Sequence, residues 1–187
     1  MGPTTRRGAS SGSGAASGIA TFGSMTTKAD FTEEEWVRLG RSPLVAGMAI
    51  SLADPGGPIE ALKESTAAIR TVLEAAQADN YGEFVQAVAA DVAEKAKHRQ
   101  SPLGGFKPTG AHAGEEILDE LRAVNALLVE KATPEEADQF RELLKTASQN
   151  TAKAAKEGGF LGFRAELVSE REQQMLDRLA EVFHGGA

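Results

Sequence analysis

Three histidines, 27 carboxylates and no cysteine set the chemical repertoire of this chain. His98, His112 and His184 are isolated in sequence, and no HExxH, EF-hand loop or paired ExxH spacing brings them to a metal. Without cysteine there is no thiolate nucleophile, no disulfide and no cysteine-ligated zinc or iron-sulfur centre. Glu115 with Asp119, and Glu116 with Glu120, fall one helical turn apart. With no facing pair and no histidine they read as a solvated acidic face near a helix start, where negative charge suits the helix dipole. Serine chemistry finds no GxSxG elbow outside the Gly/Ala/Ser-rich stretch at the start, where Gly8 to Gly12 (GASSG) has that spacing, and Ser42 and Ser169 both stand where a helix N-cap is needed. These patterns nominate no catalytic residue, no metal site and no cofactor.

The run Glu157, Gly158, Gly159, Phe160, Leu161, Gly162, Phe163 is the most distinctive stretch. It is too apolar for an exposed linker and too rich in glycine to continue a helix. Consecutive glycine amides can form an anion nest. The GxGxxG and GxxxxGK[ST] phosphate signatures are both missing, however, and Lys153 and Lys156 lie upstream where they offset a helix C-terminal dipole. The run therefore reads as a packed corner in which Gly158, Gly159 and Gly162 allow the reversal. Phe160, Leu161 and Phe163 then fill the gap between helices or, with Phe106 and Trp36, line a pocket or an interface.

The elements that position these residues are helical. Thr32 with Glu35, Thr133 with Glu136 and Ser169 with Glu172 have the spacing of reciprocal capping boxes, and Phe31 with Trp36 that of a hydrophobic staple. A short helix ending near Gly40 is expected first. Ser42 and Pro43 then look like the cap and first position of a second helix that is apolar on nearly all faces to Ala53 and hence surrounded by others. Gly47 and Ser51 stack on one side of it and predict a close helix crossing. Asp54 to Pro58 is a turn, with Pro58 opening the next helix. Amphipathic stripes follow through Leu62 to Ala76, Phe84 to Ala96, Ile117 to Leu128, Phe140 to Ala154 and Met175 to Phe183. SPLGGFKPTG at 101–110 is a loop pinned by Leu103 and Phe106. The expected fold is all-α: a compact irregular bundle of about seven helices, with the glycine and aromatic corner before the last.

At 187 residues and 41% hydrophobic, the chain supports one core. Residues 1–27 read as a disordered Gly/Ala/Ser-rich arm and 28–187 as a single helical domain. Arg6, Arg7 and Lys28 precede the first acid, Asp30, so the rest of the chain is strongly acidic. Such a body is a poor match for a phosphate backbone, and no nucleic-acid partner is expected. The longest apolar run, Leu44 to Ala53, falls well short of the roughly 18 residues of a membrane span. A cytoplasmic location is the simplest expectation.

Pro43 to Met48 (PLVAGM), Asp54 to Pro58 (DPGGP) and Lys156 to Phe163 followed by Val168 and Ser169 resemble an uncharacterised bacterial all-helical family over about residues 30 to 184. That resemblance implies the extent of the domain and no catalytic residue. Arg164 and Ala165 stand where the family pattern leads one to expect further glycines. A more distant similarity, on Ala53 with Asp54 and on Val168 to Glu172, is to tellurite-resistance TerB-like helical domains. It implies a metal-associated stress protein with Asp54 as the residue to test, although prolines stand where the acidic follow-up would be.

The leading functional expectation is a non-catalytic helical scaffold or protein-interaction domain with a protein partner or a second copy of itself. The alternative is a carrier of a small apolar molecule or chromophore, with its pocket near the glycine and aromatic corner.

Overall fold

The reciprocal boxes become helix starts. Thr32 N–H donates to Glu35 Oε2 at 2.7 Å and Glu35 N–H to Thr32 Oγ1 at 3.2 Å. The same exchange occurs between Thr133 and Glu136 and between Ser169 and Glu172. Each pair satisfies amides that the helix itself leaves unbonded. The computed structural model describes residues 25–53, 58–109, 112–157 and 169–184. After a 3-10 turn at Lys28–Asp30 come α1 (Glu33–Ala53), α2 (Pro58–Ala75), α3 (Glu83–Lys97), α4 (Ala113–Lys131), α5 (Pro134–Glu157) and α6 (Glu170–His184). No strand occurs among the described residues, and none of their helices is long and apolar enough to cross a membrane.

The fold is all-α as expected, with six described α-helices rather than seven. The difference lies at Ser42 and Pro43, which do not cap a second helix but sit inside α1. Proline has no N–H to give the carbonyl four residues back, which is that of Leu39. Here the Ser42 hydroxyl donates to Leu39 O at 2.7 Å. Ser42 is fully buried, so its hydroxyl supplies the donor that the proline lacks and the helix runs on through the position expected to end it.

Helices α1 and α5 form the centre, each packing against all five of the others. An α1 apolar on every side fits that place. Gly47 is where α1, α2 and α5 meet: a Cβ added there would lie 2.8 Å from Thr151 Oγ1 and 3.1 Å from Ala68 Cβ. The expected close crossing is present. Hydrogen bonds tie its sides, with Asn150 Nδ2 donating to Thr71 Oγ1 at 3.0 Å between α5 and α2. On the other side of the core an aromatic row runs from Phe31 through Trp36 and Phe84 to Phe140, with successive centroids 5.7, 6.3 and 5.7 Å apart. The staple between Phe31 and Trp36 is part of that row.

Contacts of the body begin slightly earlier than Lys28. Thr26 is buried, its N–H donating to Glu136 Oε1 at 2.9 Å and its hydroxyl to Glu136 Oε2 at 2.6 Å. The Thr133 amide and hydroxyl donate to the same Oε2. Burial by itself would raise the Glu136 carboxyl pKa, but the hydrogen bonds from Thr26 and Thr133 outweigh it and hold the group below its ordinary value near 4.5. Glu35 is lowered too, first by the hydrogen bond from Lys131, whose Nζ lies 2.7 Å from Glu35 Oε2. For groups lowered by folding, the stabilisation is present above the unfolded-state pKa and is lost as pH falls through the folded-state value. The urea midpoint is therefore expected to hold from neutrality to about pH 5 and then to fall. Glu136→Gln should lower the midpoint at neutral pH and make the acid fall shallower. Equal acid slopes for wild type and variant would remove Glu136 from that account.

Candidate functional site

The sequence-nominated residues are not gathered in one place. Phe160, Leu161 and Phe163, the glycines Gly158, Gly159 and Gly162, and Asp54 lie outside the described residues. Gly47, Pro58 and Ser169 have the architectural places just given: a helix crossing, a helix start and a cap. Trp36 is 2% exposed, its ring held against Phe31 and Phe84 with Lys28 Nζ 5.6 Å from its centroid. It belongs to the core. Phe106 is half-buried and sits under the Arg41 guanidinium at 5.2 Å.

That last contact leads to a cluster the sequence reading placed elsewhere. Glu120, on α4, is 8% exposed and not part of a solvated acidic face. Its Oε1 accepts from Arg41 Nε at 2.8 Å and lies 2.6 Å from Arg41 Nη2, while Arg38 Nε donates to it at 3.1 Å. Glu120 falls between Ile117 and Val124 on the apolar stripe of α4, so the burial was readable from periodicity. Arg38 and Arg41 were hidden by the expected helix break near Gly40. Once α1 continues through it, the two arginines stand three residues apart on one side and converge on the same oxygen. The segment 98–109 closes the cluster. Gly104 has φ +55°, and any side chain there would overlap Val37 Cγ1 on α1. Leu103 and Phe106 pack on the core beside it, as expected.

The neighbouring acids do go to the surface. Glu115 pairs with Arg178 of α6 at 2.6 Å, and Asp119 with Arg122 at 2.5 Å. His98 Nε2 lies 3.0 Å from Glu94 Oε1 in the open. Among the described residues no group of three or more His, Cys, Asp and Glu side chains could hold a metal ion. With one Glu120 oxygen shared by two guanidinium groups of α1, the Arg38, Arg41 and Glu120 cluster is a clamp between α1 and α4.

The same α4 presents a groove on its other flank. Between α4 and α6 runs a cleft of about 570 Å³, with Leu118, Val129 and Val182 as apolar lining and Arg122, Glu130, Arg178 and Glu181 at its edges. Val129 is 55% exposed, the most open of the large apolar helical side chains among the described residues. An open apolar residue on a grooved, charge-rimmed face is suited to receiving another helix. Its position was legible only once α4 and α6 were placed side by side.

The chain matches no protein-family model, no curated protein and no solved structure. Its functional reading rests on its own geometry.

Proposed function

We propose that this protein is a non-catalytic helical scaffold that acts through the α4–α6 groove, and that its partner there is a second copy of the chain. The observation that carries the reading is Val129, an exposed aliphatic side chain in a groove flanked by buried Leu118 and half-buried Val182. Each wall offers both signs of charge, Arg122 with Glu130 on α4 and Arg178 with Glu181 on α6. A two-fold interface sets a patch against itself, and a patch of one sign would repel its copy where a mixed one need not.

The test is the mass in solution. Light scattering across micromolar concentrations is expected to show a concentration-dependent dimer for the wild type and a monomer for Val129→Arg. Because Val129 is exposed, that variant should change stability by no more than about 0.5 kcal/mol. A strictly monomeric wild type would reject the self-association.

A further inference from the structure

A second cleft, away from the α4–α6 groove, lies between α1, α2 and the segment 98–109, with a volume of about 380 Å³. Its walls carry Leu44 and Met48 from α1, Ile69 from α2 and Leu103 from the segment, and none of the described residues lining it is charged. Only four residues separate Ala53 from Pro58, so α2 runs back along α1. Gly47 lies level with Ala68, the two facing each other across the crossing. Four residues on along α1 is Ser51, and three back along α2 is Ser65. Both line the cleft, so the antiparallel register sets two hydroxyl-bearing residues at the same level, towards the α1–α2 connection. Leu44 lies at the opposite end, and Ser101 and Pro102 of the segment also line the cleft.

Size and polarity together define an occupant. The volume is at the lower end of the range of small-molecule sites, about 300 to 1,000 Å³. A charged ligand would lose its hydration with no opposite charge among the described lining residues to replace it. We propose that this cleft binds a neutral, largely apolar small molecule carrying a hydroxyl group at one end, which the Ser51 end of the cleft receives. The Ser51 hydroxyl gives its proton to Gly47 O at 3.4 Å, and its oxygen keeps lone pairs that accept from a ligand hydroxyl.

The probe is N-phenyl-1-naphthylamine, a neutral fluorophore, titrated into the full chain beside the anionic 8-anilinonaphthalene-1-sulfonate. Saturable enhancement at one neutral probe per chain is expected, with the anion weaker by at least about tenfold. Ser51→Phe fills the polar end and Leu103→Asp charges the wall; each should weaken the neutral probe by at least about tenfold, while Val129→Arg leaves it unchanged. Helical circular dichroism decides which variants are read. If Ser51→Phe loses its helical signal, Leu103→Asp decides alone, since it is on a loop and not at the helix crossing. Absence of saturable binding, equal affinity for the anion, indifference to the folded cleft variant, or loss in Val129→Arg would each overturn the proposal. None of these outcomes depends on whether the chain dimerises.

Discussion

Replacing Glu120 by alanine is expected to cost about 3 kcal/mol or more, whereas the same change at its neighbour Asp119 should cost no more than about 0.5 kcal/mol. The two residues are adjacent in one acidic run and differ only in which way the helix turns them. Asp119 has a side chain 73% exposed and pairs with Arg122 one turn on, an arrangement worth little because water screens it. Glu120 is 9% exposed at the side chain and faces Arg41 at 11%. Removing the carboxylate leaves a desolvated guanidinium against the Phe106 ring with no anion beside it. Arg38, 27% exposed at the side chain, can turn to water and limits the loss. For a chain of this length the effect corresponds to a melting temperature lower by roughly 6 to 12 °C. The double variant Arg41→Met with Glu120→Leu should recover most of it, because an apolar pair of similar volume removes both desolvation costs. If Glu120→Ala melts no lower than Asp119→Ala, the pair is not buried in solution.

Gly47→Leu should be at least as damaging, for a steric reason. The first carbon of any side chain at this position already meets Thr151 and Ala68. Leucine adds three further carbons where α1, α2 and α5 cross, and α1 and α5 are the two helices that touch every other. Overpacking ordinarily costs about 1 to 3 kcal/mol, and a site with helices on two sides belongs at or beyond the top of that range. Gly47→Ala is the informative companion. Alanine favours the helix by about 1 kcal/mol over glycine, so part of its clash is offset, and Thr151→Ala should relieve more by removing the atom at 2.8 Å. Thermal unfolding of the four proteins reads this directly. An unchanged melting temperature for Gly47→Leu would rule out the close crossing.

Much of the architecture was legible because it is set by local chemistry. The boxes at Thr32, Thr133 and Ser169 mark helix starts through groups three residues apart, and the absence of competing strands follows from apolar spacing. What the sequence concealed depends on groups that meet through the fold. Ser42 and Pro43 have the types of a helix start, and only the Leu39 carbonyl shows that the same hydroxyl can sustain a helix interior instead. That error separated Arg38 from Arg41 and so hid the clamp on Glu120. The stripe of α4 did contain the warning, since Glu120 shares the face of Ile117 and Val124. Trp36 was readable as a staple, and its burial follows from that reading. The two clefts could not be read at all, because each is made of walls from different helices.

The aromatic row gives the molecule an internal gauge. Trp36 is the single tryptophan of the chain, enclosed between Phe31, just ahead of α1, and Phe84 of α3, with Phe140 of α5 next in line. Emission excited at the red edge therefore comes from one site, whose surroundings are contributed by three separate parts of the chain. Loosening any of them admits water to the indole and shifts its light to longer wavelength. The same ring that is shut off from ligands thus reports, without a label, whether the N-terminal lead, α3 and α5 remain assembled.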